Sequence, residues 1–182
     1  MSRPKKWQPF KKDGIVYANG ADPEEFYEVD GEEYYVTGPK LSFEDWVFYD
    51  NRRRIADYDG DPLHWSRIIT SYVKDMDMLF FEKEEFNQDI SNWDVSNVIN
   101  MSAMFAYAES FNQDISGWDT GRVQNFNSMF AFAHSFCQDL SGWDASRHFH
   151  DGSYFAQHSE DYEDKTKLYP PIVRGYPMRP KE

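Results

Sequence analysis

The sequence predicts an α/β repeat solenoid, with a short strand and a short helix in each coil, a β-rich N-terminal cap and extended termini. Three observations carry this expectation. One 25-residue phrase is written three times without a gap, from Phe86, from Phe111 and from Phe136. Its large apolar residues fall into columns: Phe86, Phe111 and Phe136; Ile90, Ile115 and Leu140; Trp93, Trp118 and Trp143; Phe105, Phe130 and Phe155. And the segment before the repeats alternates apolar and polar residues around tight-turn signals, as paired strands do. A fixed period of this length marks stacked units, each burying for its neighbours an apolar face that it cannot bury alone.

Residues 1–14 form a basic arm: Arg3, Lys5, Lys6, Lys11 and Lys12 face a single acid, Asp13, and Pro4 and Pro9 oppose regular structure. The stretch has no apolar core of the kind a signal peptide carries. Residues 15–62 read as a β-rich subdomain. Phe26 to Val36 is two alternating arms around Asp30-Gly31, a strong hairpin signal. Ser42 followed by Asp45 resembles a helix N-cap with an acidic third position. Arg52, Arg53 and Arg54 form a charge run that reads as a solvated or salt-bridged face, with phosphate contact as the alternative.

Residues 63–160 are the repeat solenoid. A half-copy precedes the first full one: Val73, Met76 and Phe80 stand 25 residues before Val98, Met101 and Phe105. A capping helix is expected over residues 66–71. Within a full coil, residues 89–93 alternate as a short half-buried strand, and residues 102–108, rich in Ala and Met, read as two turns of helix. Polar columns also recur. Gln88, Gln113 and Gln138 form one, Asp89, Asp114 and Asp139 another, and Asp94, Asp119 and Asp144 a third. Such residues bond backbone groups at corners; the alternative is a row of carboxylates for calcium. The third copy decays after Trp143, and residues 159–164 replace the start of a fourth.

Residues 161–182 form a second basic arm. Lys165, Lys167, Arg174, Arg179 and Lys181 lie among Pro170, Pro171, Pro177 and Pro180. Trp7, Phe10, Tyr169, Ile172 and Tyr176 offer apolar anchors beside the arm charges. The net charge is −13 overall, yet residues 13–164 hold 9 Lys and Arg against 31 Asp and Glu, a net of −22. Basic arms therefore flank an acidic body. That balance argues against nucleic acid and anionic membrane as partners.

The phrase FNQDISNWD at 86–94, with Val98, Met101, Met104 and Phe105, resembles the repeat of bacterial and viral surface proteins of the mycoplasma-lipoprotein type. That family is related to the BspA-like leucine-rich repeats. The resemblance covers about half of the chain. It implies a right-handed, leucine-rich-repeat-like solenoid and a role in binding or surface display, with no catalytic residue and no cofactor.

Candidate chemistry is thin. His134, His148, His150 and His158 cluster in sequence near Cys137, the single cysteine, but lack paired ligand spacing for zinc. No phosphate loop, dinucleotide fingerprint or nucleophile elbow occurs. The expectation is a non-enzymatic structural or protein-binding protein. Its most concrete form is a virion component, a head-decoration or tail-associated subunit assembled in the host cytoplasm. The arms would anchor it to a capsid, a tail or another copy. The alternative is a soluble cytoplasmic interaction module or a lectin stacking sugars on Tyr107 and Phe132.

Overall fold

A computed structural model describes residues 8–23, 25–39 and 65–147. Two hairpins open it. Strand β1 (Phe10–Lys12) pairs antiparallel with β2 (Ile15–Tyr17), and β3 (Glu25–Val29) pairs antiparallel with β4 (Glu32–Val36). Both loops are two-residue Asp-Gly turns. Asp13 and Gly14 have φ of 52° and 85°, and Asp30 and Gly31 have 54° and 81°. Positive φ at both central residues gives the turn a twist that matches its flanking strands. Residues 10–12 therefore belong to a hairpin, and the N-terminal arm is shorter than its composition suggests.

A 3₁₀ turn (Trp65–Arg67) and β5 (Ile68–Ile69) stand where a capping helix was expected. Strand β5 pairs parallel with β4, Tyr35 opposite Ile68 and Val36 opposite Ile69, so the hairpin unit is stitched to the first coil. The stitching continues beyond the strands. The Thr37 N–H donates to the Ile69 carbonyl, the Lys74 N–H to Pro39 and the Tyr72 hydroxyl to Ala21. Alternation along β5 sends Ile69 into a small cluster with Val16, Val29, Tyr34 and Val36, and Ile68 into the main core.

The repeats form a stack of coils bonded neighbour to neighbour, with isolated parallel bridges at Asp75–Asn100 and Asn100–Asn125. From Met76, alternate N–H groups reach the next coil: Met76 to Asn100, Met78 to Ser102, Phe80 to Met104 and Glu82 to Ala106. The next coil repeats this with Met101 to Asn125, Ala103 to Asn127, Phe105 to Met129 and Tyr107 to Ala131, all at 2.8–2.9 Å. The intervening N–H groups close short turns within their own coil, such as Leu79 to Met76 and Ala106 to Ala103.

This overturns the α/β solenoid. Among the described residues there is no α-helix, and the coils hold no strand beyond β5 and the isolated bridges. Residues 102–107 are consecutive turns in which Ala103 and Tyr107 adopt left-handed φ of 50° and 61°. Met78 and Glu82 do the same one coil earlier, and Ser128 and Phe132 one coil later. The physical reason is spacing. Equivalent rings in adjacent coils lie 4.5 to 6.4 Å apart, whereas packed helices need about 8–10 Å between axes. A helix in each coil would hold the neighbours too far apart for their aromatic columns to meet. From Met76 to Glu82 and from Met101 to Tyr107 the chain instead sends alternate amide groups to the next coil. Residues 89–93 likewise form no alternating strand: Ile90 and Trp93, three residues apart, are both buried across a turn in which the Trp93 N–H donates to the Ile90 carbonyl.

The columns make the core. Phe86, Phe111 and Phe136 stack at 5.8 and 5.7 Å, and Trp93, Trp118 and Trp143 at 6.4 and 6.1 Å. Within each coil a second phenylalanine lies face to face with the first: Phe80 on Phe86, Phe105 on Phe111 and Phe130 on Phe136, at 3.8, 3.9 and 4.0 Å. Ile90, Ile115 and Leu140 are fully buried. Phe155, assigned to the same core, lies outside the described residues. Each tryptophan also holds the coil before it. The indole N–H of Trp93 donates to the Trp65 carbonyl, that of Trp118 to Ile90 and that of Trp143 to Ile115. Trp65 thus occupies the Ile90 column in an opening coil.

Candidate interaction surface

The structure commits the polar columns to the backbone. Asp89, Asp114 and Asp139 each accept the N–H of the serine two residues on, at 2.9, 3.0 and 2.9 Å. Asp94, Asp119 and Asp144 repeat the motif with Ser96, Gly121 and Ser146. Asp75, Asn100 and Asn125 do so with Asp77, Ser102 and Asn127. These side chains pin the corners that let the chain turn into its next coil. The Ser116 hydroxyl and N–H hold the Asp114 carboxyl below the usual range, and the Ser146 N–H and hydroxyl do the same for Asp144. A carboxylate kept ionised by turn bonds is a corner brace and a poor general acid. Burial pushes the Tyr17 hydroxyl up, with Asp94, Asp13 and Asp119 adding to the effect.

The Asn and Gln column forms a ladder whose role the sequence did not reveal. The Asn87 side-chain oxygen accepts the Asn112 N–H at 3.0 Å and the Gln113 amide at 2.9 Å. Asn112 repeats this with the Cys137 N–H and Gln138, at 3.0 and 2.9 Å. The signal was present in the repetition of Asn-Gln, but its direction, coil to coil, is a tertiary property. Gln88 also reaches the preceding coil, but as an acceptor, taking the Trp65 N–H. Cys137 is exposed at the ladder's last described rung.

Among the described residues no group of three or more His, Cys, Asp or Glu side chains is placed to hold a metal ion, and no helix is long and apolar enough to cross a membrane. His148, His150 and His158, and Arg52, Arg53 and Arg54, lie outside the described residues. So do Ser42 and Asp45.

Of the arm residues, Phe10, Lys11 and Lys12 are described. All three are exposed on β1, and the Phe10 ring stacks on Tyr17 at 5.3 Å. Arg3, Lys5, Lys6, Trp7, Tyr169, Ile172, Arg174, Tyr176 and Arg179 lie outside the described residues. Tyr107 and Phe132, the sugar-stacking candidates, are brought together. Their rings lie 4.5 Å apart at 8°, and the edge of Phe81 meets Tyr107 at 5.8 Å. The three rings form a ridge along the outside of the stack. Tyr107 and Phe132 each give one face to the other, so the faces a sugar would use are partly spent.

The described stack, residues 65–147, carries 5 Lys and Arg against 12 Asp and Glu. Its polar surface is acidic and regularly spaced. No curated protein and no solved structure matches the chain. A family model described as a Mycoplasma protein of unknown function, DUF285, matches residues 53–167, well over half of the sequence, and the chain belongs to that family.

Proposed function

We propose that this chain is a non-enzymatic, protein-binding repeat protein: a stiff acidic stack that joins a larger assembly through its basic termini. The observation that carries the reading is the use of the polar columns. Nine regularly placed Asp and Asn side chains bind backbone N–H groups two residues on, so the residues that repeat most strictly build the scaffold. The partition of charge supports the role of the arms, since 9 basic against 31 acidic residues between positions 13 and 164 leave the excess base at the two ends. A virion surface, as a decoration or tail-associated subunit, is the setting drawn from the resemblance to displayed surface repeats; so is kinship to the BspA-like repeats. Glycan binding is weakened at Tyr107 and Phe132 by their mutual stacking.

The test is sedimentation of the full-length protein across a salt series, beside a variant with Lys5, Lys6, Arg174 and Arg179 changed to Glu. Salt-sensitive association that the variant loses supports the reading, because arm-to-body contacts are screened over about 8–10 Å at moderate salt. A chain that stays monomeric at every salt overturns self-assembly through the arms.

A further inference from the structure

We infer that the Phe81–Tyr107–Phe132 ridge is a docking strip for the basic C-terminal segment, residues 165–182, of a second copy. The inference rests on the assembly role proposed above and locates its contact. The ridge crosses three coils on the outer edge of the stack. Tyr107 is 38% exposed, Phe81 and Phe132 are half-buried, and the rings hold one another at 5.8 and 4.5 Å. A pre-assembled row of rings loses little side-chain freedom when a partner arrives.

Tyr107 and Phe132 share the left-handed turn position of the coil, at a φ of 61°. The equivalent position one coil earlier is Glu82, and Glu84 and Glu109 occupy the column two residues on; all three are exposed. Rings edged by carboxylates make a surface for cations, through ion pairs at the rim and cation–π contact over exposed ring area.

The chain itself supplies a segment of matching chemistry. Residues 165–182 carry five Lys and Arg against Glu182 alone, with Tyr169 and Tyr176 and four prolines. Prolines hold a segment extended and lower the entropy lost on docking. The N-terminal arm is the weaker occupant, because Phe10–Lys12 are already paired in β1 and Phe10 is stacked on Tyr17. One strip and one strap per copy make a head-to-tail contact, which closes into rings or runs on as chains.

The test uses the full-length protein in sedimentation equilibrium at low salt. The ridge variant is Tyr107→Asn with Phe132→Asn; Asn tolerates the left-handed conformation, so the fold is kept, and the thermal midpoint checks it. The strap variant changes Lys165, Lys167, Arg174 and Arg179 to Glu. The expected result is association in the wild type, weakened about tenfold or more by either variant. Combining the two is expected to add little, because both remove one contact. If the ridge variant associates as the wild type does while the strap variant fails to, the arms act elsewhere; the ridge assignment falls and the assembly role stands. If the wild type is monomeric, the ridge assignment and self-assembly through the arms both fall.

Discussion

Replacing Ala103 by Gly separates the turn-built coil from the helical one by the sign of its effect. Ala103 sits second in the run 102–108, where the sequence pattern predicts a helix. In a helix interior Ala→Gly destabilises by about 1 kcal/mol. In the structure Ala103 has a φ of 50°, and its N–H donates to Asn127 across the coil boundary, a bond Gly retains. Left-handed backbone costs a non-glycine residue roughly 1–2 kcal/mol, and Gly removes that cost while adding about 0.5–1 kcal/mol of chain entropy. The variant is therefore expected to be neutral or stabilised by up to about 1 kcal/mol. Ala106→Gly is the matched control. Ala106 is 2% exposed and outside the left-handed region, so it loses chain entropy and the burial of a methyl group, together about 1.5 kcal/mol. Urea unfolding of both full-length variants, followed by circular dichroism, reads the difference. At a slope near 2 kcal/mol per molar, the midpoints separate by about 1 M. Equal losses of about 1 kcal/mol in both would refute the left-handed turn and restore a helix.

Three further outcomes follow from the same geometry. Phe105 is fully buried, lies face to face with Phe111 at 3.9 Å and stacks on Phe80 and Phe130 at 5.4 Å each. Phe105→Ala is expected to cost about 3–5 kcal/mol in chemical denaturation, while Tyr107→Ala, two residues away on the ridge, is expected to cost under about 1 kcal/mol. Trp118→Phe deletes the indole bond to the Ile90 carbonyl but leaves that carbonyl the Trp93 N–H; a loss of about 1–2 kcal/mol in the same assay is expected from the bond and the smaller ring. Ser116→Ala removes the hydroxyl that contributes most to holding Asp114 low, so the Asp114 carboxyl should titrate closer to an ordinary carboxylate when followed by NMR. Because the folded pKa of Asp114 and Asp144 is depressed, their stabilising contribution is present above the ordinary carboxylate pKa of about 4 and is lost as pH falls through the folded values. The wild type should therefore lose stability on the acid side, and the Ser116→Ala variant should lose less there.

What could be read in the sequence was whatever depends on one residue repeating every 25. Phe86, Phe111 and Phe136 share a column because identical units stacked in register place them there, whatever the backbone does between them. The conformation inside the unit was harder to read. Residues 102–108 contain strong helix formers at helical spacing, and a local reading cannot see that a neighbouring coil competes for their amide groups. The left-handed residues leave little trace, since Ala103, Tyr107 and Phe132 are types that seldom adopt positive φ. The hairpin at Asp30-Gly31 was legible from its turn. Asp13-Gly14 carries the same dipeptide and makes the same turn, but the lysines on one side drew it into the basic arm. The ridge was legible as two exposed aromatics and illegible as a stack, because Phe81 joins it from a different column, opposite Ala106 rather than Tyr107.

The interior ladders also bear on how copies meet. A stack whose coils bond edge to edge offers its last coil as a template for more of the same, and natural edges are blunted against this. The Asn ladder shows where blunting enters. Asn87 and Asn112 each present a side-chain oxygen that takes two donors from the following coil. The next rung is Cys137, whose thiol is a weak acceptor and cannot take an N–H and a glutamine amide as Asn does. The side-chain ladder is therefore weaker beyond that rung than before it. The side-on contact proposed above does not use that rung. Restoring the acceptor with Cys137→Asn tests this separation: the side-on contact should keep its salt dependence and its need for Tyr107, while any added association should be insensitive to both.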